Sequence, residues 1–230
     1  MRQKKVRKMG KLLVLEGLDG SGKQTQAEML CQALNDRGVR CRHVSFPDYA
    51  QPSSALVKMY LHGEFGSQPQ DVNPYAASSF YAVDRFASYR KFWKADYDSG
   101  ALILADRYTT SNLVYQLPKL PREKWGLFTD WLFDYEYGRL ALPIPDLTIF
   151  LDMPETVSEA LLEKRYHGDE QQKDIHEKDS TFQHACRDAA FYAAKQQHWS
   201  VLPCSEGGAP KTPQRIHREI LQTLQKAGLL

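Results

Sequence analysis

At 230 residues, with 42% hydrophobic and 25% charged residues, the chain has the apolar content for one substantial α/β core. A formal net charge of +2 argues against broad nucleic-acid binding, because basic residues crowd only at Arg2, Lys4, Lys5, Arg7 and Lys8, a solvated tail within residues 1–10. No apolar run is long enough for a bilayer, and the scattered Cys31, Cys41, Cys186 and Cys204 fit burial in a reducing cytoplasm better than metal ligation.

The first apolar run, Leu12–Glu16, predicts a strand and stops at Gly17. A glycine-rich turn follows, with Gly17, Gly20 and Gly22, and Lys23 opens a helix predicted over 22–37. Strand, glycine loop and helix in this order are the context of a phosphate-binding P-loop. Glycines allow successive backbone N–H groups to face one concavity, the helix N-terminus adds partial positive charge, and Lys23 reaches the outer phosphates. Gln24 stands where the metal-binding hydroxyl belongs and Thr25 comes one residue later, so Mg²⁺ must lean on phosphates, water and other carboxylates.

Further strands are predicted at Arg40–Phe46, Ala101–Asp106, Asp146–Asp152 and Ser200–Cys204. The intervening helices are predicted at 53–62, 74–98, 109–117, 121–140, 155–165, 176–197 and 212–227. Runs such as Leu102-Ile103-Leu104, apolar on both faces, suit parallel strands covered on each side. The expected architecture is a doubly wound three-layer α/β sandwich, a five-stranded parallel sheet in a single domain over 11–230. In such folds ligands lie outside the carboxyl ends of the strands, which here deliver Gly17–Thr25, Phe46-Pro47-Asp48-Tyr49, Asp106-Arg107-Tyr108 and Asp152.

Arg107 is a bidentate donor suited to a phosphate dianion, although an Asp–Arg pair can also simply hold a loop. Ser111, Asn112, Tyr115 and Gln116 share one face of the helix that follows. Tyr81 and Arg85 stand one turn apart, able to stack a base and bond its edge, or, for Phe80 and Tyr81, to pack the core.

Taken together, Glu16-Gly17-Leu18-Asp19-Gly20-Ser21-Gly22-Lys23, Tyr81-Ala82-Val83-Asp84-Arg85 and Asp106-Arg107-Tyr108 with its continuation Thr-Thr-Ser-Asn-Leu-Val-Tyr-Gln over 109–116 resemble the thymidylate kinase family, from Leu12 to about Leu224. The resemblance implies transfer of a phosphoryl group from ATP to dTMP, giving dTDP for dTTP synthesis, with ATP and Mg²⁺ bound and a homodimer as the assembly. It implies that Gly17, Leu18, Asp19, Gly20, Ser21, Gly22, Lys23, Gln24 and Thr25 hold ATP. Tyr81 would stack on thymine, Arg85 would bond its carbonyl edge, and Asn112 would contact the base, with Gln116 beside it. Tyr115 would crowd the 2′ position of the sugar, and Phe46, Pro47 and Tyr49 would line the acceptor pocket. Arg107 would hold the acceptor phosphate, while Asp19, Asp106 and Glu177 are the candidate carboxylates for sugar, metal or bound water.

Three departures from the family pattern stand out. Gln24 is one; Asp48 replaces a nearby Arg, and Asp174-Ile175-His176-Glu177 lacks the Arg of the mobile lid. Gly20 leaves no basic residue inside the loop, so the missing charge would come from Lys164, Arg165 or Lys173, flanking a lid near 166–175. The rival readings are a deoxynucleoside kinase with Asp106 as base, another nucleoside-monophosphate kinase, and a non-catalytic nucleotide-binding protein.

Overall fold

The computed structural model describes residues 9–166 and 174–230. Five strands, β1 (Lys11–Glu16), β2 (Cys41–Ser45), β3 (Leu102–Asp106), β4 (Leu147–Asp152) and β5 (Ser200–Pro203), form one parallel sheet in the order β2-β3-β1-β4-β5. Leu12, Leu13, Val14 and Leu15 are all fully buried, which explains the unbroken apolar run. Alternate side chains serve opposite layers: Leu13 and Leu15 pack with Leu30, Leu34 and Ile220, whereas Leu12 and Val14 pack with Ile103, Trp93 and Tyr108.

The helices are α1 (Lys23–Asp36), α2 (Ala55–Leu61), α3 (Pro74–Ser88), α4 (Lys94–Asp98), α5 (Thr110–Gln116), α6 (Trp125–Phe133), α7 (Glu155–Tyr166), α8 (Ser180–Gln196) and α9 (Pro213–Lys226). Because β1 lies between β3 and β4, successive crossovers leave it on opposite sides, and a crevice opens at its carboxyl end. The doubly wound sandwich and its five strands therefore stand as expected.

Several helix boundaries need correction. The helix expected over 74–98 is interrupted by a π-helical stretch, Tyr89–Trp93, between α3 and α4. The one expected over 121–140 divides into a 3₁₀ turn at Arg122–Lys124, α6, and a second π-helical stretch, Asp134–Arg139. The helix expected from 176 begins at Ser180. The Asp174 carboxylate accepts from the N–H groups of His176 and Glu177 at 2.8 and 2.9 Å, and this closes a separate turn. Asp179 then caps α8 by accepting from the Phe182 N–H at 2.9 Å. A small hairpin, β6 (Ser205–Glu206) and β7 (Ala209–Pro210), turns at Gly207 and Gly208, whose φ values of 58° and 78° need glycine; the strand pattern does not foretell it. The four cysteines are free thiols, on α1, β2 and α8 and directly after β5.

Candidate active site

Where β1 ends, Gly17 to Gly22 wrap back toward α1. A Cβ on Gly17 would lie 2.5 Å from Ser21 Oγ and 3.0 Å from the Leu151 carbonyl, so this close approach requires glycine. Gly22, in the left-handed region at φ 83°, is the N-cap of α1 and leaves its first amides uncovered by any side-chain cap. Lys23 folds back to donate to the Leu18 carbonyl at 2.7 Å, with Ser21 Oγ at 3.4 Å. Burial, reinforced by Arg107, lowers its ammonium pKa to about 8. Gln24 bonds Glu28 one turn on at 3.0 Å, and Thr25 is exposed.

The strand pairing brings the second motif alongside, with Leu15 opposite Asp106 and the Arg107 N–H donating to the Leu15 carbonyl at 3.1 Å. Arg107 adopts φ 64°, a left-handed conformation uncommon for a non-glycine residue and a mark of backbone constraint. Its guanidinium pairs with Asp19, donates to the Tyr115 hydroxyl at 3.2 Å and lies 3.7 Å from the buried Glu16. Thus the Arg107 partner is Asp19 and not its neighbour Asp106. Burial pushes the Asp19 carboxyl upward, but Arg107, Lys23 and the Tyr115 hydroxyl (3.0 Å) outweigh it and hold the group below the usual carboxylate range. Glu16, fully buried, accepts from Thr110 and Ser111 hydroxyls, each at 2.8 Å, and so fastens α5 to β1.

At the far end the Phe46–Pro47 bond is cis, and Asp84 anchors the loop beyond it by accepting from the Asp48 N–H at 2.8 Å and Ser53 Oγ at 2.6 Å. Arg85, 1% exposed, is clamped by Glu136 at 2.7 Å through Nε and 2.5 Å through Nη2. Its Nη1 keeps only a 3.4 Å contact with the Tyr108 carbonyl. Glu136 also accepts from Thr109 at 2.7 Å and Asn112 at 3.1 Å. Sequence reading missed Glu136 because the π-helical turn that aims it inward has no simple sequence period.

One cleft of about 1090 Å³ joins the two ends. Asp19, Gly20, Gly22, Lys23, Gln24, Thr25, Phe46, Pro47, Tyr49, Tyr81, Arg85, Asp106, Arg107, Asn112, Tyr115, Gln116 and Glu177 all line it. Gly17, Leu18 and Ser21 do not; they form the floor of the loop, the first two giving carbonyls to Arg107 and Lys23. Arg165 lies in the last turn of α7 and its side chain is outside what is described. Lys173, most of the 166–175 stretch and the basic residues before Met9 also lie outside the described residues.

Among the described residues, the buried Gln116 amide and Asp106 Oδ1 meet no hydrogen-bond partner. Orphaned polar atoms facing a cleft fit a ligand that supplies the missing bonds. Among the described residues no three His, Cys, Asp or Glu side chains converge to hold a metal, but Asp106 Oδ1 is the right donor for a divalent cation shared with phosphates. Asp19 is already engaged by Arg107, and Glu177 accepts from the Asp174 N–H at 3.2 Å. Sequence reading also missed His176, Tyr60 and Lys119. The His176 Nε2 meets the Tyr60 hydroxyl at 2.8 Å, and its ring stacks on Tyr115 at 5.4 Å and 12°. Ile175, at the place of the absent lid Arg, packs against Val57, Tyr60 and Leu61.

A family model described as thymidylate kinase matches residues 15–211. The thymidylate kinase of Mycobacterium tuberculosis is 32% identical over 190 residues, covering 79% of this chain and 84% of the relative. That of Brachyspira hyodysenteriae is 28% identical over 224 residues, 96% of each chain. The solved thymidylate kinase of Candida albicans superposes with a TM-score of 0.68 at 22% identity, covering 95% of this chain and 92% of that one, a likeness of fold.

Proposed function

This chain belongs to the thymidylate kinase family, and from that premise we propose that it transfers the terminal phosphoryl group of ATP to dTMP. The observation that carries the reading is the meeting, in one cleft, of Lys23 and the α1 N-terminus with Arg107 at one end and Tyr81, Arg85, Asn112 and Gln116 at the other. The first set suits phosphates; the second suits a flat base with a polar edge.

The acceptor is a phosphate monoester whose second pKa near ~6 leaves it a dianion at neutral pH, so the attacking oxygen needs no general base. What remains is to bring two anions together and to stabilise charge on the group in flight. Lys23 leaves the Leu18 carbonyl to meet the donor phosphates, and Arg107 turns part of its guanidinium from Asp19 to the acceptor phosphate. Tyr81 and Arg85 fix the base, and Tyr115, tied to Asp19 and Arg107, limits room beside the sugar. Mg²⁺, when bound, would supply positive charge to the phosphates; Asp106 would hold it, with Asp19 and Glu177 at the edge of the same space.

Arg165 and Lys173 would add cations from a lid near 166–175, and the basic residues 1–10 would be dispensable to an 11–230 catalytic domain. The unpaired cysteines support a reducing cytoplasm as the working compartment, and no helix among the described residues is long and apolar enough to cross a membrane. Val83 and Phe86 on α3, 41% and 38% exposed, support a homodimer through that helix, which light scattering would test.

The deciding experiment offers ATP and Mg²⁺ with a panel of nucleosides and monophosphates and reads ADP. A dominant dTMP signal is expected. Preference for thymidine would make the protein a nucleoside kinase, preference for UMP or AMP a different monophosphate kinase, and no acceptor-dependent ADP a non-catalytic binder.

A further inference from the structure

Glu136 enters the base end from the π-helical stretch Asp134–Arg139, and its four bonds divide evenly over two oxygens. Oε2 accepts from Arg85 Nε and Thr109 Oγ1, each at 2.7 Å. Oε1 accepts from Arg85 Nη2 at 2.5 Å and from Asn112 Nδ2 at 3.1 Å. Glu136 is fully buried and does not line the cleft, whereas Arg85 and Asn112 both do.

What the carboxylate takes decides what its two neighbours can give. Paired with Arg85, it only accepts, so Asn112 must turn its NH₂ toward Oε1. The flipped amide would set oxygen lone pairs against each other in the interior. Asn112 Oδ1 is then left over. It accepts from none of the described residues and yet is not sealed, so on a residue only 2% exposed it opens to the cleft. On Arg85 the same count leaves Nη1, with only its 3.4 Å contact to the Tyr108 carbonyl. Arg85 Nη2 and Asn112 Nδ2 meet on one oxygen, and Nη1 and Oδ1 share a carbon with those nitrogens. The spare donor and the spare acceptor therefore lie close together.

We propose that Glu136 is a specificity-determining positioning residue: by holding the Asn112 carbonyl outward beside Arg85 Nη1, it selects a pyrimidine with a carbonyl oxygen next to a ring N–H over one with an amino group next to a bare ring nitrogen. The inference rests on the kinase reading for the identity of the ligand, and it adds the carboxylate that sets the polarity of the base contact. Glu136 itself touches no substrate. A 4-oxo pyrimidine places its C4 oxygen on Nη1 and its N3–H on Oδ1. A 4-amino pyrimidine reverses both, and Asn112 cannot flip to receive it without turning its oxygen on the carboxylate.

The test compares dTMP with 5-methyl-dCMP, which share methyl group, sugar and phosphate and differ only across C4 and N3. Calorimetry on the full chain should show dTMP bound about 10²-fold or more tightly than its 4-amino counterpart. Glu136→Gln, whose amide can donate to Oδ1 and so permit the flip, should cut that preference about tenfold. Asn112→Ala should cut it at least as far, and adding Glu136→Gln to it should then cost little more. Structural damage alone would weaken both ligands alike. A preference unmoved in Glu136→Gln, or a loss that adds in full on the Asn112→Ala background, overturns the proposal. The orientation is also read without any Glu136 variant, in ¹⁵N spectra of the wild-type chain with Asn112→Ala as the blank. The Asn112 side-chain NH₂ should be protected from solvent exchange before ligand is added; free exchange overturns the fixed amide. Tight dTMP binding without turnover would sink the kinase reading and leave this one standing, and equal turnover of both nucleotides would do the reverse.

Discussion

At the phosphate end of the cleft, the paired Arg107 and Asp19 side chains remain 17% and 22% exposed, within reach of an incoming group, while Lys23 rests on a backbone carbonyl. At the base end, the Arg85 and Glu136 side chains are 2% and 0% exposed, and Glu136 receives four donors. The two ends hold the same kinds of charge in different states. The phosphate end keeps cations whose partners an incoming phosphate can replace. The base end has saturated its charges, so that Arg85 presents a fixed edge with almost no freedom to reorient. On the proposed function, binding energy at the first would be gained by exchange of partners, and at the second by preorganisation.

The contrast is tested first by removing Glu136. Glu136→Ala leaves the Arg85 guanidinium buried without its counter-charge, and chemical denaturation should show a loss of about 3–5 kcal/mol. A loss below about 1 kcal/mol would mean that the base end is not held by this pair. The next largest effect belongs to the exchangeable end. Lys23→Ala should lower kcat about 10²–10³-fold with folding intact, because its positive charge acts where negative charge develops. Arg107→Ala should act on the acceptor, raising the KM for dTMP about 10–100-fold while the KM for ATP changes little, as expected for a charge-assisted phosphate contact. A normal KM for dTMP in that variant would remove Arg107 from the acceptor phosphate.

The phosphate end was also the legible one. Its glycines and Lys23 act through backbone geometry over a few consecutive residues, and Arg107 follows a strand whose end is visible as the close of an apolar run. The five strands could be read for the same reason: burial on both faces gives runs with no polar interruption. The base end depends on pairs far apart in the chain. Arg85 and Glu136 are 51 positions apart, and Tyr60 and His176 are 116 apart. No local pattern announces either pair, and Glu136 depends in addition on a π-helical turn. The start of α8 was misplaced because Asp174 and Asp179 each terminate a local set of amides, and a run of polar residues does not show which one caps the helix.

The smallest effect concerns pH and separates the two ends again. The Lys23 pKa is lowered to about 8 by burial and by Arg107, against an unperturbed 10.5, so between these values the unfolded chain binds more protons than the folded one. Folding stability from this group therefore rises with pH through that window. ATP affinity runs the other way, because only the ammonium meets the phosphates well. Above about pH 8 the charged fraction falls about tenfold per pH unit, and ATP binding must recover the proton. Titration calorimetry near pH 9 in buffers of different ionisation enthalpy should show close to one proton taken up, and Lys23→Arg, charged throughout, should show none. Uptake that persists in Lys23→Arg would assign it to another group. If Arg85 and Arg107 hold dTMP as proposed, its binding should show no such limb, since both guanidinium groups stay charged over this range.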